Sequence, residues 1–500
     1  MPSFRLVWYL VQEHALLAAV GLVVLSLVSV VVYRLTLHPL ARVPGPILAA
    51  ATGAYEAYFQ LIKDGGGRYW VEIDRLHDVY GPIVRINPWE VHIKDPDWND
   101  VYKLSSRAAK PRSHYRFFGS AESTNTTEPD GLHRVHRQAL GTWFSSQNVT
   151  AHVHQVQETV KKLHDRLAGC REQVVNLSDA YRSLALDVST GFAFQRPFGG
   201  IDQPDFGKAF NQAVWSYARL GLLNRHLFGL PFWLLQSLLP RSISNRLSPA
   251  ASRVFMEPMA PEGEAPQDMV QAMLVSDLPD KQKTFTRVFG DCRNIILAGN
   301  ETTATVLTSI TYHLLSSPEM QTKLRSELKS ARDAKGAALG YQDLRSVPYL
   351  TGVINEALRT SYSVSGRLPR YSEVADFEYQ RYFLPRGTHI SISMHDAHMD
   401  PAIFPDPEKF NPDRWLNQPD YKRLAKYLQP WGRGSRLCIG KELATMDIYL
   451  TVSRLFGPGC EFEMKLFETE RRDWDIFGDY FGPLPAPGSR GLRVMVGKPQ

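Results

Sequence analysis

Residues 15–33 (ALLAAVGLVVLSLVSVVVY) run for nineteen positions without a charge, and no other stretch limits the architecture of this chain so sharply. A helix rising about 1.5 Å per residue over this length nearly spans the ~30 Å hydrocarbon core of a bilayer. A cleaved secretory leader has a shorter apolar centre of about 7–15 residues, so the run reads as a retained transmembrane anchor preceded by a tail, residues 1–14. Prolines 39, 44 and 46 then make residues 34–50 a stiff linker between membrane and globule. Arg5 lies before the run and Arg34 and Arg42 after it, a small excess that favours a cytosolic body. Four Asn-X-Ser/Thr triplets, at Asn125, Asn148, Asn176 and Asn300, would carry glycans only in a lumenal body.

Residues 51–500 show no internal repeat or low-complexity break and read as one domain. Helical spacing predicts helices over 72–80, 131–146, 284–316, 318–332 and 349–360. Strand patterning is confined to 83–87 and 389–394. The expected class is mainly α with a small β subdomain. A net charge of +6 with no block of like charges leaves no footprint for nucleic acid. Four cysteines without a C-x-x-C exclude a disulfide scaffold. The glycine run 65–67 lacks the spacing of a phosphate cradle, and the pairs His133/His136 and His395/His398 lack a third zinc ligand.

One cysteine stands in unusual company. Residues 431–440 (WGRGSRLCIG) combine Trp431, Gly434, Arg436, Cys438 and Gly440. At average composition such a set should occur by chance in on the order of one in ten thousand chains of this length, so a merely structural Cys438 is a poor explanation. A thiolate on haem iron pushes electron density across the metal and favours O–O cleavage. Flanking glycines bring backbone N–H groups close to the sulfur, and an arginine suits a haem propionate. Cys170, Cys292 and Cys460 have no such surroundings.

This stretch resembles the haem-binding signature of the cytochrome P450 superfamily, F-x-x-G-x-R-x-C-x-G, with Trp431 in place of phenylalanine and an added indole N–H. Other landmarks follow in the family's order over nearly the whole chain. Residues 298–303 (AGNETT) are similar to the distal oxygen-handling helix. There an Ala-Gly pair makes room, helix irregularity is expected, and Glu301 with Thr302 would relay protons. Glu356 and Arg359 match the family's E-x-x-R, with Arg414 in residues 410–415 (FNPDRW) as third partner of a structural ion cluster. Glu72–Arg75, Glu378–Arg381 and Glu468–Arg471 share the spacing, and position in the chain separates them. His133, Arg137 and Arg370 match propionate-binding positions.

The resemblance implies a cytochrome P450 fold behind one transmembrane helix, haem b (iron protoporphyrin IX) on Cys438, and a monooxygenase using O2 and NADPH-derived electrons. It further implies NADPH–cytochrome P450 reductase as donor, cytochrome b5 as an auxiliary one, contact with membrane lipid, and placement in the endoplasmic reticulum. Residues 38–46, 80–88 and 361–370 are most similar to fungal microsomal members of the trichodiene oxygenase type, which implies an apolar, terpenoid-like substrate. Residues 227–239 (LFGLPFWLLQSLL), with Phe228, Phe232 and Trp233, fall where the family has its access-channel roof and are expected to dip into lipid. Two other classes use the same thiolate: an isomerase or dehydratase acting without O2, and a non-enzymatic haem binder. Neither needs the Glu301–Thr302 pair.

Overall fold

The computed structural model describes residues 2–119, 122–226 and 267–498. The expected lid, residues 227–239, lies outside them. The first helix, Pro2–Thr36, takes in the apolar run and also the stretch read as a tail. Its segment Leu17–Thr36 has a mean hydropathy of 2.2 and is wholly unburied, as a helix made to meet lipid must be. The linker behind it is tied down by more than its prolines. Arg34 donates from Nη1 to the Ala51 carbonyl at 2.7 Å, and Arg85 Nη1 donates to the Arg34 carbonyl at 2.8 Å. Arg85 is itself buried, so anchor and globule are joined through its guanidinium.

Two crossing helices form the centre. Phe285–Ser316 starts at Thr284, whose side chain caps the Arg287 N–H, and stops where Ser317 caps the next helix, Pro318–Lys335. Leu177–Phe194 starts at Asn176, which accepts from the N–H groups of Ser178 and Asp179, and every one of its residues is buried. Their approach is close because Gly299 faces Ser189, where a Cβ would lie 2.5 Å from Ser189 Oγ. The glycine is therefore required by helix packing, and together with Ala298 it also lines the cavity beside it. The long helix also runs unbroken through 298–303, without the expected irregularity.

The β structure is distributed in small pieces. Ile83–Asn87 pairs antiparallel with Glu90–Ile93, which pairs parallel with His389–Ser391. Val174–Asn176, Arg493–Gly497 and Glu463–Leu466 form a second three-stranded sheet. The strand predicted over 389–394 stops at Ser391, and Met394–His398 is helical. The helix predicted over 131–146 is Asp130–Gly141, and Ser145 then caps a separate turn, Ser146–Ala151. Between them Trp143 and Phe144 turn into the core, and that burial outweighs continued helical spacing. In the glycine run, Gly67 has φ +68° and a Cβ there would meet Asp479 N and Gly478 Cα, so the run makes a tight turn under the hairpin Gly478–Tyr480/Gly482–Leu484.

Candidate active site

The loop before helix Lys441–Phe456 carries Cys438 and closes on itself through the Cys438 N–H, which donates to the Trp431 carbonyl at 2.9 Å. Gly434 has φ +71°, and a Cβ there would collide with the Tyr102 carbonyl oxygen. That glycine is therefore required by the close approach of the Tyr102 segment. Gly440 has an ordinary φ of −83° and open space where a Cβ would stand, so it keeps the room beside the sulfur clear.

The Cys438 side chain is exposed and lines an internal cavity of about 380 Å³. Desolvation by the protein around that cavity pushes its thiol pKa up. The N–H groups of Gly440 and Lys441 and the charges of Arg137 and Lys110 oppose that rise by favouring the thiolate. A metal on the sulfur would complete the deprotonation.

Basic side chains converge on the same cavity: His133 and Arg137 from Asp130–Gly141, Arg370, Arg436, and Lys110. Lys110 was not legible in the sequence. It arrives because Ala109 and Tyr371 exchange backbone hydrogen bonds at 2.7 and 3.1 Å, which brings residue 110 beside residue 370. Its ammonium donates to the carbonyl and the Oδ1 of Asn125 at 2.9 and 2.7 Å. Arg370 donates to the Tyr115 hydroxyl at 2.6 Å, and Arg436 to the carbonyls of Thr127 and Glu128 at 2.7 and 3.0 Å.

Among the described residues no carboxylate forms an ion pair with Lys110, Arg137, Arg370 or Arg436. The electrostatics record this crowding. Burial, then Arg370 and its neighbours, hold the Lys110 ammonium well below its usual pKa; burial and Arg370 lower Arg436 to about 10. Burial and the cations hold the His133 imidazole down at about 2. His133 Nδ1 and Arg436 Nε are buried without a hydrogen-bond partner. Uncompensated buried cations and orphaned donors are costly unless an anion joins them. A thiol on one wall, a crowd of cations and otherwise apolar surroundings suit one ligand in particular: a flat, iron-bearing ring with two carboxylates. Haem b fits this donor set.

On the opposite wall Thr302 faces the cavity, with its hydroxyl donating to the Ala298 carbonyl at 2.9 Å. Glu301, next to Thr302 in the chain, also lines the cavity. Its carboxylate accepts from Arg182 Nε and Nη2 at 2.7 and 2.8 Å and from Trp215 Nε1 at 3.1 Å. Both partners were missed in the sequence, since neither sits in a local motif; the crossing of three helices assembles them.

Glu356, Arg359 and Arg414 meet behind the cysteine loop. Both members of the first pair are fully buried. Glu356 accepts from Arg359 at 2.8 and 3.0 Å, from Arg414 Nε at 3.0 Å, from Trp415 Nε1 at 2.9 Å and from the Asn411 N–H at 2.9 Å. By contrast, Arg75 of the Glu72 pair is more than half exposed, and Arg471 turns to Glu408 and Asp475. In residues 366–370 the two arginines part: Arg370 goes to the cavity, while Arg367 bridges buried Glu56 and Glu90 at 2.7 Å each. Cys292 is buried with its thiol pKa pushed up by desolvation, and Cys460 donates to the Phe462 carbonyl.

The family model for Cytochrome P450 matches residues 57–475. A cytochrome P450 monooxygenase of Eupenicillium brefeldianum is 35% identical over 491 residues, covering 93% of this chain and 95% of the relative. One of Ascocoryne sarcoides is 34% identical, covering 95% and 97%. A tryptophan 6-hydroxylase of Fusarium equiseti is 34% identical, covering 95% of each. With a cysteine loop, cation-ringed cavity and distal threonine in one fold, the chain belongs to the cytochrome P450 family and is a haem-dependent monooxygenase that uses O2 and NADPH-derived electrons.

Proposed function

We propose that the protein hydroxylates an apolar, terpenoid-like molecule in fungal secondary metabolism, R–H + O2 + 2 e⁻ + 2 H⁺ → R–OH + H2O. One observation carries this reading: Cys438 and the Thr302 hydroxyl face a single cavity whose remaining surface is largely apolar, with aromatic side chains such as Phe117, Phe118 and Phe481. The bound haem supplies oxygen activation. Cys438 is its thiolate ligand, and Lys110, His133, Arg137, Arg370 and Arg436 are the cations for its propionates. Trp431 sets an indole beside the cysteine loop. Thr302 and Glu301 pass the two protons inward from the distal wall. The apolar walls exclude bulk water, which keeps protons from arriving by any other route.

Electrons come from a separate NADPH–cytochrome P450 reductase, with cytochrome b5 as an auxiliary donor. The N-terminal helix holds the body at the endoplasmic reticulum in a single pass, facing the cytosol. Supporting that orientation, Arg34 and Arg42 place positive charge behind the apolar run; of the four sequon asparagines only Asn300 is wholly buried, its amide donating to the Arg182 carbonyl.

The test is expression with a reductase in yeast microsomes under ¹⁸O2, with a sesquiterpene hydrocarbon and tryptophan as two substrate arms. Tryptophan is included because one relative is named for hydroxylating it. One ¹⁸O atom in a terpene product, dependent on NADPH and reductase together, is expected. Labelled hydroxytryptophan alone would replace the terpenoid reading, and turnover without reductase would remove the electron-transfer reading.

A further inference from the structure

Trp215 joins two regions that otherwise have separate duties. It lies on helix Lys208–His226, and its ring forms part of the cavity wall. Its indole N–H is donated to Glu301 Oε2 at 3.1 Å, the same oxygen that Arg182 Nε holds at 2.7 Å. The Arg182 guanidinium stacks on the indole with its carbon 4.6 Å from the ring centroid. Arg182 is fixed: it is buried on a wholly buried helix, and its backbone carbonyl accepts from Asn300 Nδ2 at 3.2 Å. Trp215 is only half-buried, and its open face looks onto the space a substrate would fill.

We propose that Trp215 is a positioning residue for Glu301, setting how that carboxylate delivers protons to the Thr302 side. This rests on the reading of Glu301 as part of the proton path. The carboxylate has three donors, two from an arginine that cannot leave its helix and one from a side chain on the cavity wall. The arginine pair alone fixes the plane of the carboxylate. The indole adds a second donor to Oε2, and it comes from the cavity wall. Losing the N–H while keeping an aromatic plane therefore alters proton delivery and leaves the wall in place.

The experiment needs no substrate. Holoenzyme with reductase and NADPH consumes O2 by two routes, O2 + 2 e⁻ + 2 H⁺ → H2O2 and O2 + 4 e⁻ + 4 H⁺ → 2 H2O, and NADPH provides the electrons for both. The peroxide-to-water ratio and the H2O/D2O rate ratio are measured for wild type, Trp215→Phe, Glu301→Gln and the double variant. Each is first shown to keep the thiolate CO spectrum; Trp215→Leu serves if the phenylalanine variant does not. The expected result is a change of at least threefold in the ratio for Trp215→Phe, with a changed solvent isotope effect, and little further change when Glu301 is already glutamine. A wild-type ratio in Trp215→Phe while Glu301→Gln is altered overturns the proposal alone. An equal effect of Trp215→Phe in both backgrounds also overturns it, because the ring is then only wall. A wild-type ratio in Glu301→Gln overturns the proton-path reading beneath it, and the proposal with it.

Discussion

Glu356→Gln isolates the buried ion cluster behind the cysteine loop. The substitution keeps shape and volume but removes the one charge that neutralises Arg359 and Arg414, and Glu356 and Arg359 have no exposed surface. Glutamine must also turn its NH2 toward donors that now meet oxygen. If the NH2 takes the place of Oε2, it faces Arg359 Nε and Trp415 Nε1; in the place of Oε1 it faces Arg359 Nη2, Arg414 Nε and the Asn411 N–H. The cheaper orientation strands two donors, at about 1–3 kcal/mol each. Breaking a buried pair by removing one partner costs about 3–5 kcal/mol, which agrees with that tally. The roughly 450 residues after the linker, at about 2.1 cal/mol/K each, give an unfolding entropy of ~0.9 kcal/mol/K, so the expected fall in Tm is about 3–5 °C. The assay is loss of the thiolate CO spectrum against temperature in detergent, with Glu72→Gln as the half-exposed comparison, where a much smaller shift is expected. A midpoint for Glu356→Gln within 1 °C of wild type would refute the claim that this charge holds the region together.

Further outcomes follow from single sites. Cys438→Ala loses the red-shifted CO-bound Soret band, while alanine at Cys170, Cys292 or Cys460 keeps it; a retained band in Cys438→Ala removes the ligand assignment. Thr302→Ala keeps haem but diverts electrons to peroxide by severalfold, read as peroxide released per NADPH. Asp396, pushed up to about 7 chiefly by burial, is protonated more readily folded than unfolded. It therefore lends stability that is full below about pH 4 and is lost as pH rises through about 7. Charged or titratable neighbours His92, His395, Lys94 and Asp74 remain in both proteins. The urea midpoint difference between wild type and Asp396→Asn should thus fall between pH 5 and pH 8, and a constant difference would contradict the assignment.

Much of this protein is readable along the chain because its chemistry lies in contiguous motifs. The 19-residue apolar run, the cysteine loop with its arginine, the distal Ala-Gly-Asn-Glu-Thr-Thr and the i,i+3 pair at Glu356 each need neighbours only a few positions away. Local periodicity likewise marks the strand Ile83–Asn87 and the long helix, whose start at Thr284 is a capping signal. What sequence spacing does not contain is the partner of a side chain. Lys110 joins the cations of the cavity only because Ala109 pairs with Tyr371, far along the chain. Gly434 answers to the Tyr102 carbonyl, and Gly299 to Ser189. For Glu301 the sequence shows only the neighbouring threonine, and the crossing of three helices delivers Arg182 and Trp215 to it. A motif specifies which atoms are available within one turn or loop; the long-range packing of helices fixes which of those atoms are already occupied.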